Sequence, residues 1–297
     1  MTSHSIGLDD IDRLTGGRLG TFDTVCPLCS HLRHSAANRR AKVLRVYRIE
    51  PGFAGFHCAH CGAKGHARDR ANAPLDPEKL AKVRAEAAER DRVHKAQRLG
   101  KALALWAMSR PIAGTVAEAY LRGARGYSGA IPATLRFLPA RGDYAPALIG
   151  AFGLADEVEP GVIAIAADAL RGVHVTRLSP DGSGKAGTDR DKVMIGHSAG
   201  WPLMLAPPND LLGMVTVEGI EDGLSAHEAT GLGAWAAGGA KRLPALAERI
   251  PSWIDCVTIC ADDDADGQKG ATELARLIEA RGIEVLLKIL RIAGAAA

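Results

Sequence analysis

The chain has 297 residues, a length that suits two or three domains rather than one. Its hydrophobic content of 47% allows a sizeable core, yet no run of about 18 apolar residues occurs, which excludes an ordinary transmembrane helix. The N-terminus has no basic segment followed by an apolar stretch and so does not resemble a secretory signal. We therefore expect a soluble, cytoplasmic protein without membrane contacts.

The net charge of +3 hides an uneven distribution along the chain. Residues 26–70 contain nine Lys or Arg against Glu50 and Asp69, whereas residues 211–297 contain eight basic and thirteen acidic residues. A basic segment suits a polyanion such as nucleic acid, and an acidic segment suits cations. The two ends of the chain are thus expected to have different ligands.

Two Cys-x-x-Cys pairs, Cys26/Cys29 and Cys58/Cys61, lie near the N-terminus. Structural zinc takes four soft ligands in a tetrahedron, and two such pairs complete one site. Strands predicted at 43–49 and 55–58, joined through Pro51-Gly52, make this segment a zinc ribbon. The histidines that offer alternative ligands are His31, His34, His57, His60 and His66. Cys256 and Cys260 follow an apolar pattern and are predicted to be core thiols.

Basic and aromatic residues alternate through the ribbon. The basic ones include Arg45 and Arg48, and the aromatic ones are Tyr47, Phe53 and Phe56. Basic groups bind nucleic acid by releasing its counterions, and exposed aromatic rings stack on unpaired bases. A solvated charged surface around a small core explains the same composition equally well, so both interpretations stay open.

Four segments follow from the composition and the predicted elements. We place the ribbon in residues 1–72, an exposed linker helix in 73–100, a mixed α+β lobe in 101–210 and an α/β domain in 211–297. Within the lobe, residues 161–167 and 173–178 are predicted to be paired strands. Strands at 215–217, 234–236, 257–260 and 284–289 alternate with helices at 221–230, 243–249 and 268–280, a pattern typical of a largely parallel sheet.

Acidic residues follow two of these strands. Glu218 comes after the first, and the run Asp262, Asp263, Asp264 and Asp266 comes after the third. Ligands bind at the carboxyl edge of open α/β sheets, and gathered carboxylates are stabilised by a hard cation such as Mg²⁺ or Mn²⁺. The sequence therefore predicts a cation site for phosphoryl chemistry.

Two short motifs point elsewhere. Gly184-Lys185 resembles the end of a P-loop, but Ser179 and Ala186 depart from that pattern, so no ATP-driven helicase is expected within the chain. Gly196-His-Ser-Ala-Gly200 matches the nucleophile elbow of serine α/β-hydrolases, with Ser198 as nucleophile. Pro202, Pro207 and Pro208 leave little room for the helix that such an elbow requires.

Glu218-Gly219 and the Asp262–Asp266 run resemble the Toprim domain shared by bacterial primases, topoisomerases and some nucleases. The resemblance implies that Glu218 is the family's glutamate and that Asp262 and Asp264 are its aspartate pair, holding Mg²⁺ or Mn²⁺. The ribbon and the region from Arg177 to Leu203 resemble the corresponding parts of phage-type and mobile-element primases. Together the similarity covers most of residues 24–290.

A primase of this kind makes short RNA primers on single-stranded DNA from ribonucleoside triphosphates. In such a primase, the triphosphate or the template would be bound by four basic residues, Arg177, Lys185, Arg190 and Lys192. Solvated charge on surface loops explains these four residues equally well, so both interpretations stay open. A separate replicative helicase is then expected to unwind the duplex. Primases usually carry a further acidic motif after the fourth strand, whereas here residues 285–292 lead into Ala293-Gly-Ala-Ala-Ala297.

This departure supports an alternative function, a catalytically weak or inactive DNA-binding accessory protein of replication with a Toprim fold. A Toprim nuclease needs the same carboxylates but is not expected to carry a ribbon of this type. The serine hydrolase is the remaining enzyme class that the sequence offers.

Overall fold

The computed structural model describes residues 6–69 and 77–290. The chain divides into two compact units, Met1–Val93 and His94–Ala297. Within the described ranges, no helix combines the length and the apolar character that crossing a membrane requires.

The first unit contains a four-stranded antiparallel sheet in the order β1-β2-β3-β4. Its elements are α1 (Leu8–Thr15), β1 (Gly20–Thr24), α2 (Ala36–Arg40), β2 (Leu44–Glu50), β3 (Phe53–Cys58) and β4 (Lys64–Arg68). Pro51 and Gly52 form the turn between β2 and β3, as predicted. Side chains alternate between a buried and a solvent face, as expected for a sheet covered on one side.

A long helix, α3 (Pro77–Met108), follows. The sequence predicted a linker helix in 73–100 and a separate helix near Leu103–Met108. Residues 73–76 lie outside the described ranges, and from Pro77 onward one continuous helix covers both predicted segments. Its early part is exposed, whereas Leu103 and Trp106 pack on a buried cluster of the second unit. A single helix thus leads from the first unit into the second.

The lobe that follows is built on antiparallel strands. It contains α4 (Val116–Ala119), the helical turn Tyr120–Ala124, β5 (Leu135–Leu138), β6 (Ala147–Gly153), β7 (Asp156–Glu159), β8 (Val162–Ala164), β9 (Leu170–Arg177), β10 (Lys192–Gly196) and β11 (Leu203–Ala206). The predicted pairing of residues 161–167 with 173–178 is wrong. Strand β8 instead pairs with β7 in a small hairpin, and β9 lies between β6 and β10.

The last part of the chain alternates between strands and helices, as predicted. Its elements are β12 (Gly213–Val217), α5 (Ile220–Thr230), β13 (Gly233–Ala236), the 3₁₀ segment Ala240–Leu246, β14 (Cys256–Asp262), α6 (Ala265–Glu279) and β15 (Glu284–Leu290). The helix predicted at 243–249 is replaced by the 3₁₀ segment, which contains Pro244. Strand β12 is parallel to β13 and β14, and β14 is parallel to β15.

One nine-stranded sheet joins the lobe to the last part. Its order is β10-β9-β6-β11-β13-β12-β14-β15, with β5 paired to β6. Strand β11 makes the junction, because it pairs antiparallel with both β6 and β13. Along β12, Val215 and Val217 belong to one buried cluster and Met214 to the other, so both faces of the sheet are covered. An apolar run without alternation is the expected sequence for such a strand.

Candidate metal centre and acidic site

The four cysteines of the ribbon lie together. The Sγ atoms of Cys26 and Cys61 are 4.0 Å apart, those of Cys29 and Cys58 are 3.8 Å apart, and all four lie within 4.8 Å of one another. Zinc–sulfur bonds of about 2.3 Å in a tetrahedron place the sulfurs about 3.8 Å from each other, whereas a disulfide requires about 2.05 Å. The spacing therefore fits one structural zinc ion.

The local backbone explains how each pair presents two thiols. Ser30 donates its N–H to the carbonyl of Cys26 (3.0 Å), and Gly62 donates to the carbonyl of Cys58 (3.0 Å), so each pair closes a tight turn. Burial raises the pKa of Cys26 and of Cys29. A bound cation would reverse this effect by stabilising the thiolates. Within the described ranges, no histidine belongs to the quartet.

The solvent face of the ribbon carries rows of polar and aromatic residues. Pairing sets Tyr47, Gly55 and His66 in one row across β2, β3 and β4, and Arg45, His57 and Lys64 in the next. The ring of His66 stacks on Phe53, with centroids 5.7 Å apart. Phe56 lies on the opposite, buried face.

The two ribbon arginines singled out from the sequence are engaged inside the first unit. Arg45 binds Asp23 through two hydrogen bonds of 2.8 and 2.9 Å, and Asp91 at 2.6 Å. Arg48 is only 4% exposed and pairs with Asp12 at 2.6 Å. Both guanidinium groups thus connect elements of the ribbon, and Lys64 and His66 are the more accessible groups on its face.

Three acidic residues predicted as a site lie at the carboxyl ends of neighbouring strands. Glu218 follows β12, Asp262 is the last residue of β14, and Asp264 caps α6 by accepting the Gly267 N–H at 2.7 Å. The Asp262 N–H donates to Glu218 Oε1 at 3.4 Å. Burial, followed by the charges of Asp262 and Asp264, raises the pKa of Glu218, so the carboxylates repel one another.

The side chains do not form a closed cation cage. Among the described residues, the cysteine quartet is the group whose ligand atoms all lie close together. Glu218 is half-buried, and Asp264 is exposed with one carboxylate oxygen engaged at the cap. A hard cation bound between these carboxylates would nevertheless relieve their mutual repulsion. The carboxylate oxygens at this sheet edge therefore fit Mg²⁺ or Mn²⁺.

A fourth carboxylate, Asp222, was missed in the sequence. It lies in the first turn of α5, and a Cβ on Gly219 would meet its Oδ2 at 2.5 Å. Burial and the charge of Asp262 raise the pKa of Asp222. Glu218 follows strand β12 whereas Asp222 lies in helix α5, so no single periodicity linked the two residues in the sequence.

The predicted basic residues separate into two groups. Lys192 lies 3.9 Å from Glu221, and the pKa of half-buried Lys185 is lowered by burial and by the charge of Lys192. The strand pairing also makes these two lysines neighbours, because Lys185 is bridged to Leu178 and Lys192 is paired with Thr176, two positions away on the same face of the sheet. Arg190 is exposed in the loop before β10, and half-buried Arg177 ends β9, where its N–H is bonded to the Asp191 carbonyl at 2.8 Å.

The nucleophile-elbow geometry is absent. Ser198 is 6% exposed, and the chain continues through Trp201 and Pro202 into β11 rather than into a helix. The turn at Gly196 and Gly200 instead joins two strands.

A comparison with models of protein families identifies the domain that begins at β12. A model described as "Toprim domain" matches residues 213–292. The chain therefore contains a Toprim domain. The Toprim fold predicted from Glu218 and the Asp262–Asp266 run is thereby confirmed. A second model, "Domain of unknown function (DUF7146)", matches residues 96–205, the lobe that precedes the Toprim domain.

Solved structures of bacterial primases are distantly similar. One is a DNA primase domain from Pseudomonas aeruginosa, with 12% identity and a TM-score of 0.35 over 54% of this chain and 50% of that chain. Another contains the zinc-binding and RNA polymerase domains of the Aquifex aeolicus primase, with 14% identity and a TM-score of 0.40 over 97% and 80%. The chain thus spans half the length of the Pseudomonas structure. No curated protein sequence matches significantly.

Proposed function

We propose that this protein is a DNA primase that makes short RNA primers on single-stranded DNA by metal-dependent nucleotidyl transfer. The observation that most supports the proposal is the combination, in one chain, of a four-cysteine ribbon and a Toprim domain with carboxylates at its sheet edge. The ribbon offers a surface for the template. The Toprim edge offers ligands for cations that accompany nucleotide phosphates.

The proposed reaction is the attack of a 3′-hydroxyl on the α-phosphorus of a ribonucleoside triphosphate, with pyrophosphate as the leaving group. Mg²⁺ or Mn²⁺ held by Glu218, Asp262 and Asp264 would supply charge neutralisation for the attacking and leaving oxygens. Where the ion is held by Asp262 and Asp264 alone, Glu218 is suited to accept the hydroxyl proton, because burial and the charges of the two aspartates raise its pKa. Lys185 and Lys192 supply positive charge for the triphosphate.

The template would lie on the solvent face of the ribbon. Lys64 and His66 are exposed there, and Gly55 leaves open space beside Tyr47 where a base can stack, since no atom lies closer than 4.0 Å to a Cβ built on it. Arg45 and Arg48 would act indirectly, by fixing the strand that carries Tyr47. The duplex would be unwound by a separate helicase.

A primer-synthesis assay tests the proposal directly. The full chain is incubated with single-stranded DNA, labelled ribonucleotides and either Mg²⁺ or Mn²⁺. Short RNA products that disappear in Asp262→Asn, while Asp266→Asn still makes them, support the primase. Asp266 is a suitable control because it is an exposed neighbour that pairs with Lys241 at 3.0 Å.

The same assay separates the alternatives. DNA binding without synthesis under both metal ions would contradict the primase and favour the accessory protein. Shortened DNA in place of RNA products would favour a Toprim nuclease.

A further inference from the structure

A hydrogen-bonded group beside the carboxylates has no role in the function proposed above. The hydroxyl of Tyr120, a fully buried residue, donates to Glu221 Oε1 at 2.7 Å and accepts from Arg125 Nε at 2.9 Å. The other oxygen of Glu221 lies 3.9 Å from Lys192 Nζ. The group thus connects the lobe, through Tyr120, to the first turn of helix α5 in the Toprim domain.

We propose that Glu221, held by Tyr120, is a positioning residue that keeps Lys192 beside Lys185, so that both ammonium groups bind the phosphates of one nucleoside triphosphate. The inference rests on the proposed function and adds a residue that the carboxylate site does not contain. Glu221 itself touches neither the nucleotide nor the metal ion in this arrangement.

The first argument concerns the backbones of the two lysines, which are already fixed. In the loop before Lys185, Asp181 accepts hydrogen bonds from the Ser183 N–H (3.0 Å) and hydroxyl (2.8 Å). Gly182 has φ +74° and packs against α4, where a Cβ would lie 2.7 Å from the Val116 carbonyl oxygen. Lys192 begins β10 and is paired with Thr176. Only the side chains remain to be oriented, and a long lysine side chain has many rotamers.

The second argument concerns charge. Two neighbouring ammonium groups repel each other, and burial together with Lys192 lowers the pKa of Lys185. Glu221 acts in the opposite direction on Lys185, and Arg125 adds to the repulsion. The side chain of Glu221 is 13% exposed, yet Lys192 and the Tyr120 hydroxyl outweigh its burial and lower its pKa. A buried, ionised carboxylate is therefore available to hold the lysines together.

A simple counterion role predicts the opposite result. If Glu221 only weakened the local positive potential, its removal would strengthen binding of a triphosphate. If it positions Lys192, its removal lets that side chain move into solvent and weakens binding. The direction of the change thus distinguishes the two roles.

The test measures equilibrium binding of ATP to the full chain without divalent ions, so that the carboxylate site does not contribute. We expect Glu221→Gln, which keeps an oxygen for Tyr120 but loses the charge, to raise the Kd about tenfold, the size of one charge-assisted contact. Tyr120→Phe is expected to raise it less. The matched control is Glu228→Gln, because Glu228 also lies on α5 and bonds the lobe, through the Ser128 N–H at 3.1 Å.

A double-mutant cycle shows whether Glu221 acts through Lys192. We expect Lys192→Gln combined with Glu221→Gln to bind ATP no more weakly than Lys192→Gln alone. In the wild type, binding should also persist to higher pH than in Glu221→Gln, because loss of the carboxylate lowers the pKa of Lys185 further. In primer synthesis, the variant should raise the KM for nucleotide and leave kcat nearly unchanged.

The outcomes separate this inference from the proposed function. Unchanged or tighter ATP binding by Glu221→Gln, with binding by the wild type intact, overturns the positioning role and leaves the primase proposal standing. Additive losses in the double mutant also overturn it. Absence of ATP binding by the wild type overturns the positioning role together with the triphosphate part of the proposed function.

Discussion

The backbone N–H of Asp262 points at the side chain of Glu218, with 3.4 Å between the nitrogen and Oε1. The two residues lie 44 positions apart and meet because β12 and β14 are parallel neighbours in register. Backbone donors from Asp262 and Ala240 therefore orient a carboxylate that two nearby aspartates repel. The geometry of the acidic site depends on this strand pairing and on the small residue packed beneath it, Gly267.

Replacing Gly267 with alanine should damage the site without removing any carboxylate. A Cβ at this position would lie 2.5 Å from Glu218 Oε1 and 2.8 Å from the Asp262 carbonyl oxygen. The carboxylate of Glu218 must move, so we expect primer synthesis to fall by at least about tenfold, the effect of a misplaced catalytic group. Gly100→Ala is the control, because no atom lies within 4 Å of the added Cβ there. Equal activity in both variants would contradict this packing argument.

Removal of a site carboxylate should abolish stabilisation by Mg²⁺. At a concentration of 100 times its Kd, a bound ion adds about 2.7 kcal/mol to the free energy of unfolding. We expect thermal unfolding of the wild type to shift upward with Mg²⁺, and Glu218→Gln and Asp262→Asn to lose most of that shift. Asp266→Asn should keep it. Retention of the full shift in Glu218→Gln would show that the ion binds elsewhere.

The cysteine quartet should hold about one zinc ion per chain, measured by elemental analysis of protein purified without chelator. Cys29→Ser should lose the zinc and unfold the ribbon, whereas Cys256→Ser should retain it. All 4 tryptophans, Trp106, Trp201, Trp235 and Trp253, lie in the second unit. Their fluorescence should therefore remain unchanged in Cys29→Ser, while circular dichroism reports the loss of the ribbon. Zinc retained by Cys29→Ser at wild-type stoichiometry would contradict the quartet.

Single-stranded DNA binding should depend on the solvent face of the ribbon. Loss of one phosphate contact lowers the slope of log affinity against log salt concentration by about 0.7 for single strands. We expect this change in Lys64→Ala but not in Lys82→Ala, which removes the same charge from the exposed side of α3. Tyr47→Ala should weaken binding by about 1–3 kcal/mol without changing the slope, because stacking carries no charge. An equal salt slope in Lys64→Ala and the wild type would exclude this face of the ribbon as the DNA-binding surface.

Acid should destabilise the second unit through His174. This histidine is buried, and burial is the main reason that its pKa falls from 6.5 to about 4. The folded state keeps the ring neutral while the unfolded chain takes up a proton, so stability declines as the pH falls from 6.5 to 4. The difference between the two pKa values corresponds to a loss of about 3 kcal/mol in the free energy of unfolding.

Denaturant unfolding followed by tryptophan fluorescence measures this pH dependence. Between pH 6.5 and 4, the loss of stability should be smaller in His174→Gln than in the wild type. In His197→Gln, where the substituted residue is exposed, it should match the wild type. If the free energy of unfolding depends on pH equally in the wild type and in His174→Gln, His174 is not the source of the acid destabilisation.

Local patterns in the sequence were sufficient for much of the fold and part of the site. The apolar runs of β12, β13, β14 and β15 predicted a parallel sheet, and two Cys-x-x-Cys pairs predicted the quartet, because turn chemistry and ligand spacing act over few residues. The predicted pairing of residues 161–167 with 173–178 failed. The pattern of a strand does not specify which strand it pairs with, and β8 pairs with β7, which directly precedes it in the chain.

The sequence by itself determined which residues could form strands, hold zinc or supply carboxylates, since these properties follow from side-chain chemistry and periodicity. Only the tertiary structure decided that Arg45 and Arg48 form internal ion pairs, and that Asp222 joins the acidic edge. It also brought Tyr120 to Glu221, 101 positions along the chain. Such contacts arise where one sheet joins the lobe to the Toprim domain, because strand order and register bring distant segments together and no local pattern encodes them.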